Sequence, residues 1–230
     1  MKKRISTPYL LDFLSVFVAV LAAFALNNWN DNRRDSKAES KILAEISNGL
    51  QKDVEDVKMN VLGHQQGVKA CAYWRRLLLH QETNPDTLQQ YFFILTRDFV
   101  SVQNTSGYET LKSKGLELLR NDSLRSEVIS LYEYDYKTFI KLEKEYDELQ
   151  FQSNYFLDFN RIVAPSLKFN ELGMISGMNL PLDLPEAESN ILLTYLWKME
   201  VNRRFILQFY EEVEVKIEKL QHNIGRELQD

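Results

Sequence analysis

The spacing of apolar and polar residues divides the chain into a membrane-type segment and a helical domain. A continuous apolar run occupies residues 9–26, and Asp12 is the only charged residue inside it. As an α-helix rising about 1.5 Å per residue, this run reaches ~27 Å, close to the hydrocarbon thickness of a bilayer. Beyond it, apolar residues recur with helical spacing almost throughout. The pattern predicts an all-α chain with a short basic tail (1–8), an N-terminal transmembrane helix (9–26), a juxtamembrane segment (27–35) and an antiparallel helical bundle with long, coiled-coil-like helices (36–230).

Three interpretations of the apolar run compete. A cleaved signal peptide is one, because a basic start is followed by Ala23-Phe24-Ala25, which has the small-x-small pattern of a cleavage site. A buried core helix is the second, but no polar stripe of the usual width interrupts the run. A retained anchor explains the most, since Trp29 would lie at the membrane interface with Arg33 and Arg34 just beyond it as snorkelling anchors. We therefore favour the anchor.

Helical geometry gives the predicted anchor two different faces. At 100° per residue, one face carries Asp12, Ser15, Ala19 and Ala23, and the opposite face carries Phe13, Leu14, Phe17, Leu21 and Phe24. Large apolar groups suit lipid, whereas small residues at every fourth position let another helix approach closely. The small face therefore predicts contact with a partner helix, either a second copy of this chain or another membrane protein. The alternative is that the carboxylate reaches up to water near the headgroups.

Positive charges flank the apolar run on both sides, so they orient the anchor only weakly. The flanking residues are Lys2, Lys3 and Arg4 before the run, and Arg33, Arg34, Lys37 and Lys41 after it. Because the basic residues lie close to the run on its N-terminal side, we favour an N-terminus in the cytosol and a bundle outside.

Capping and breaking residues divide the bundle into five predicted helices. These begin at Ser36, Asn84, Ser106, Ser123 and Pro185, and end near His80, Phe99, Gly115, Asn160 and Leu228. The first could continue directly from the anchor, because no proline lies between Tyr9 and Asn84, although three glycines weaken it. Pro85 after Asn84 and the Ser106–Glu109 capping box indicate two of the helix starts. Prolines and glycines predict an irregular segment at about 162–185.

Two charged residues interrupt otherwise apolar heptad positions. The last helix has its a and d positions at Leu192, Leu196, Met199, Arg203, Ile206, Tyr210, Val213, Ile217, Leu220 and Ile224. In the helix predicted from Ser123 to Asn160, Asp135 occupies such a position, together with Val128, Tyr132, Phe139, Leu142, Tyr146, Leu149, Ser153 and Phe156. Asp135 and Arg203 could form an ion pair across the bundle, or each could lie near a helix end in water. The heptads favour an intramolecular core over an intermolecular coiled coil.

Composition and motifs offer little reactive chemistry. The net charge of −5 argues against a nucleic-acid partner, and the single Cys71 excludes an internal disulfide. No phosphate-binding loop, nucleophile elbow or zinc-binding helix occurs, and the three histidines are scattered. The charged run 143–148 is interpreted as a solvated helix face. We therefore expect no catalytic residues, no cofactor and no metal site.

Two stretches resemble a known family. The first is the apolar run, which contains Asp12 and continues into Leu26-Asn27-Asn28-Trp29-Asn30. It is similar to the family's membrane span, which contains an acidic residue and is followed by Asn-Asn-Trp-Asn. Tyr108-Glu109-Thr110-Leu111-Lys112 and Asn121-Asp122-Ser123-Leu124-Arg125 are similar to its two central motifs. The family is an uncharacterised group of single-span bacterial envelope proteins, a domain of unknown function. The resemblance covers about the first 130 residues and implies a retained anchor and a helical extracytoplasmic domain, without an activity.

Together these observations predict a non-enzymatic protein anchored in the inner (cytoplasmic) membrane. It would act as a scaffold or accessory subunit through contacts with a partner membrane protein or further copies of itself. The alternative function is a bundle that senses a small molecule outside the cell membrane and passes the signal to a partner subunit. Its short N-terminal tail leaves no room for a signalling domain of its own.

Overall fold

The computed structural model describes the backbone of residues 7–229 and the side chains of residues 11–229. Within this range the chain is predominantly α-helical, which confirms the predicted all-α class. Its elements are α1 (Thr7–Leu78), α2 (Leu88–Leu95), α3 (Ser106–Lys114), α4 (Asp122–Ser130), α5 (Tyr136–Glu145), α6 (Phe151–Val163), β1 (Leu167–Phe169), β2 (Ile175–Met178) and α7 (Glu186–Glu227). A π-helical turn, Leu131–Asp135, joins α4 to α5. The predicted basic tail lies mostly outside the described residues.

Helix α1 continues without a break from the apolar run into the bundle. Its 72 residues correspond to about 108 Å at the usual rise per residue. Residues 11–30 are all exposed, whereas Leu43, Ile46 and Leu50 are buried in the core. The same helix therefore provides the membrane-type segment and one wall of the bundle.

The chain packs as an up-down-up-down bundle along α1. At the end nearest the apolar run, here called the proximal end, the Arg120 backbone donates to Glu39, and Asn121 donates to Glu227 at the end of α7. At the opposite, distal end, Gln89 of α2 donates to the Ile175 carbonyl of β2. Thus α2 and α3 return along α1, α4 to α6 run outward again, and α7 returns.

The last helix forms the predicted core seam. All ten of its predicted a and d residues are buried, and α7 makes its most extensive packing with α1. At the distal end, the Trp74 ring meets Phe159 edge-on with centroids 4.9 Å apart. These contacts support the intramolecular interpretation of the heptads.

The prediction of a single helix from Ser123 to Asn160 is wrong, because one helix ends at Glu145 and the next begins at Phe151. The Asp98 carboxylate accepts hydrogen bonds from the backbone N–H groups of Phe151 and Gln152, which starts α6 with a new register. Tyr146 is consequently 44% exposed instead of lying in the core.

Several predicted helix ends are confirmed, but α2 ends at Leu95 instead of near Phe99. Asn84 and Asn121 cap their helices through side-chain oxygens, and Gly115 ends α3 at a φ of 104°. The Ser106–Glu109 capping box does not form, because α3 begins without a side-chain cap. Within the segment predicted to be irregular, β1 and β2 form a short antiparallel hairpin.

Candidate functional site

The exposed segment of α1 places the predicted contact face away from every other described element. Ser15 donates to the Asp12 carbonyl at 2.8 Å, so its hydroxyl is satisfied within the helix. Ala19 and Ala23 leave the backbone open to approach, and a shallow groove of about 270 Å³ runs beside Ala23. Phe13 and Phe17 stack on each other with centroids 6.2 Å apart. The segment is long and apolar enough to cross a membrane.

A compact aromatic and basic group follows the apolar run. The guanidinium carbon of Arg33 lies 5.7 Å from the centre of the exposed Trp29 ring. Arg34 lies 3.5 Å from Asp31 and 3.7 Å from Asp35. A tryptophan with an arginine stacked on it is suited to a membrane interface, where one end is apolar and the other wet.

Two buried carboxylates, Asp53 and Glu143, and the half-buried carboxylate of Asp56 hold an irregular segment that passes between helices. This crossing segment, residues 96–105, has no regular secondary structure, so most of its backbone N–H groups need other acceptors. Asp56 accepts the Val102 N–H at 2.9 Å, and Asp53 accepts the Asn104 N–H at 2.8 Å. Glu143 accepts both the N–H and the hydroxyl of Ser101.

Two tyrosines complete the same network. Tyr136 donates to Asp53 at 2.6 Å, and Tyr210 donates to Glu143. Burial raises the pKa of both carboxyl groups, and it raises the pKa of both tyrosines as well, so the phenols stay protonated donors. Glu143 is therefore a buried structural acceptor, and the interpretation of residues 143–148 as a solvated face is wrong for this residue.

Arg203 is fully buried without a carboxylate bonded to it. One terminal nitrogen donates to the carbonyls of Leu95 and Arg97, each at 2.9 Å, and the other lies 3.2 Å from His64 Nδ1. The guanidinium carbon lies 4.2 Å from the centre of the Phe151 ring. Burial lowers the pKa of Arg203 to about 10, so the group remains a cation at neutral pH.

His64 is held neutral beside this cation. Burial, followed by the charge of Arg203, lowers its pKa to about 3. Because arginine only donates, Nδ1 must accept, and we assign the proton to Nε2. A cavity of about 10 Å³ beside the ring is also lined by Asp98 and Glu143.

The predicted Asp135–Arg203 ion pair does not form. Asp135 is buried in the π-helical turn, and its carboxylate accepts from Lys216 Nζ at 2.7 Å. Lys216 lies 13 residues beyond Arg203 on α7, or about 20 Å along the helix axis. The heptad pattern could not predict that Lys216 pairs with Asp135, because Lys216 lies beside the apolar seam and reaches the carboxylate with a flexible side chain.

A double-mutant cycle should separate these two pairings. We expect Asp135→Asn and Lys216→Gln to be coupled by about 1 kcal/mol in unfolding free energy, because the lysine is the partner of a buried carboxylate. Asp135→Asn and Arg203→Met should be additive within about 0.5 kcal/mol, since the two sites share no partner. Urea unfolding of the unaltered chain, the three single variants and the two double variants measures both cycles, and stronger coupling to Arg203 would contradict the assignment.

The remaining reactive groups are inaccessible or dispersed. Cys71 is fully buried, and burial raises the pKa of its thiol to about 12. Across the residues that the structure describes, no group of three or more His, Cys, Asp or Glu side chains is placed to hold a metal ion. The buried polar network is therefore best explained by the hydrogen-bonding needs of the crossing segment.

The two central motifs of the resemblance, residues 108–112 and 121–125, lie on either side of the corner between α3 and α4. Tyr108 stacks on Tyr132 at 4.5 Å, and Gly107 lies so close to α1 that a Cβ would be 2.9 Å from the Ile46 nitrogen. Asn121 caps α4. These contacts give the motif residues structural roles, in packing against α1 and in capping α4. No family model, curated protein or solved structure matches the chain.

Proposed function

We propose that this chain is a non-enzymatic, single-pass protein of the bacterial envelope that acts through protein–protein contacts, as a scaffold or accessory subunit. The observation that carries the proposal is the unbroken α1, whose exposed apolar start continues directly into the core of the bundle. In this proposal α1 crosses the cytoplasmic membrane with the N-terminus in the cytosol and the bundle outside.

The unbroken helix supports a scaffold because it couples the span rigidly to the bundle. Arg120 donates to the carbonyl of Asn32, only three residues beyond Trp29, which is about 4.5 Å along the helix. If Trp29 lies at the membrane interface, the corner between α3 and α4 lies at the level of the headgroups. A partner bound to the span would then meet the base of the bundle as well.

The small-residue face indicates where a partner helix would bind. Ala19 and Ala23 permit close backbone approach, and Asp12 on the same face is costly to leave against lipid tails. A second copy of the chain or a different membrane protein would cover this face. Trp29 and Arg33 would hold the span at a fixed depth while the two helices pack.

The Ala19→Leu/Ala23→Leu double variant should lose its partner. Leucine side chains would push the neighbouring helix away, and we expect about tenfold less cross-linked complex in native membranes. Ala25→Leu is the matched control, because position 25 lies about 200° around the helix from position 23. Equal loss in the control, or a monomer in the unaltered protein after gentle extraction, would overturn the proposal.

A second candidate function, sensing of a small molecule, is favoured by one observation. A cleft lies at the distal end of α1, beside Tyr73 and Leu77. Because the same helix forms the membrane-type segment, a change in the cleft could be transmitted along α1 to a partner subunit.

A further inference from the structure

A cleft of about 450 Å³ lies at the distal end, enclosed by the last turns of α1, the start of α2 and the β-hairpin. Its volume falls within the range of small-molecule sites in proteins. Gln89 donates to the Ile175 carbonyl and fixes the hairpin against α2. The hairpin turn is closed by Asn170, whose side chain accepts from the N–H groups of Leu172 and Met174. The walls of the cleft are therefore built by ordered elements.

The exposed lining of the cleft is mostly polar, and apolar side chains lie beneath it at the floor. Leu77, Leu88 and Met178 line it from the buried core. Asp86 lies in the 3-10 turn just before α2, and Lys168 lies in β1. Both charged residues are exposed, and neither takes part in any ion pair found among the described residues.

We propose that this cleft binds a small zwitterion with an apolar body, an apolar amino acid or a short peptide. Lys168 pairs with the ligand's carboxylate, Asp86 pairs with its ammonium group, and the apolar body lies on the floor of the cleft. Asp86 and Lys168 both line the cleft and carry opposite charges, so each end of such a ligand has a partner of opposite sign. The proposal goes beyond the scaffold function and does not depend on it.

Gly177 provides a way to fill the cleft without straining the hairpin. It pairs with Lys168 across the sheet, and residues paired in this way share one face. A Cβ at Gly177 would lie 4.0 Å from Lys168 Cδ, an ordinary contact distance. Valine suits a strand, so Gly177→Val should occupy the cleft while the hairpin stays folded.

Calorimetric titration of the full chain in detergent with the dipeptide Leu-Phe tests the proposal. We expect saturable binding with a dissociation constant below about 1 mM, and loss of that binding in Gly177→Val. Gly225→Val is the matched control, because nothing lies within 4 Å of a Cβ at that position. No binding to the unaltered chain, or binding that persists in Gly177→Val, would overturn the proposal.

Charge variants assign the two ends of the ligand. Lys168→Gln and Asp86→Asn should each weaken Leu-Phe binding by about tenfold. Lys168→Gln should also remove the preference for Leu-Phe over its C-terminal amide, and Asp86→Asn should remove the preference over N-acetyl-Leu-Phe. Equal binding of free and blocked peptides to the unaltered chain would contradict the zwitterion assignment. None of these results bears on cross-linking through the small-residue face.

Discussion

Gly67→Ala is expected to destabilise the bundle by about 3 kcal/mol, at the upper end for overpacking of a core. A Cβ at position 67 would lie 2.4 Å from Nε and 2.5 Å from Cζ of Arg203. The guanidinium cannot move aside easily, because the carbonyls of Leu95 and Arg97 hold it. Thermal unfolding in detergent, followed by circular dichroism, measures the loss.

Gly225→Ala is the control for this change. Gly225 also lies in a helix, but nothing lies within 4 Å of its Cβ position, so alanine should be neutral or slightly stabilising through helix propensity. In an Arg203→Met background, Gly67→Ala should lower stability by less than about 1 kcal/mol, because the flexible thioether can bend away. Equal effects of the two glycine changes in the unaltered background would contradict the close contact.

Gly67 also illustrates what the sequence could and could not predict. Heptad spacing is sufficient to predict the buried positions of α7, because a long amphipathic helix has one period and one apolar face. The same reasoning treats a glycine in α1 as a weak point of the helix. Its role as the space for Arg203 depends on a contact with a distant part of the chain, which periodicity does not contain.

The interior network was beyond sequence reasoning for a related reason. Asp53 and Glu143 have the composition and spacing of ordinary solvated helix charges. They are buried because the crossing segment lacks regular secondary structure and its N–H groups need acceptors. An irregular segment leaves no periodic signal, so neither its path nor its acceptors could be predicted. The break before α6 follows from the same segment, since Asp98 supplies the new cap.

These polar contacts have a consequence for the proposed scaffold function. Each one joins a specific atom of the crossing segment to a specific helix, so it fixes the register of that helix as well as its burial. Arg203 does this for α7 through the Arg97 carbonyl, and Glu143 does it for α5 through Ser101. A core held only by leucine and valine would tolerate small helix shifts, whereas these contacts penalise them. A bundle of fixed shape on an unbroken α1 is suited to presenting a surface at a constant height.

His64 is expected to make the bundle lose stability as the pH falls below 6.5. Its pKa in the folded chain is lowered to about 3, so the unfolded chain binds a proton over the interval between these values while the folded chain does not. The contribution of neutral His64 to the free energy of unfolding is complete above pH 6.5, and about 2 kcal/mol of it is lost by about pH 5. The raised pKa values of Asp53 and Glu143 act in the opposite direction, because protonation of the folded chain then precedes that of the unfolded chain.

The difference between the unaltered protein and His64→Gln isolates the histidine from those carboxyl groups. Glutamine can still accept from Arg203, but it does not titrate, and the surroundings of the site stay the same: Phe99, Tyr210, Asp98 and Glu143. Urea unfolding at a series of pH values should show a stability difference that shifts in favour of His64→Gln as the pH falls. A difference that is constant with pH would mean that His64 takes up its proton in the folded bundle over the same pH range as in the unfolded chain. The neutral acceptor for Arg203, and with it the hydrogen bond at Nδ1, would then have to be reassigned.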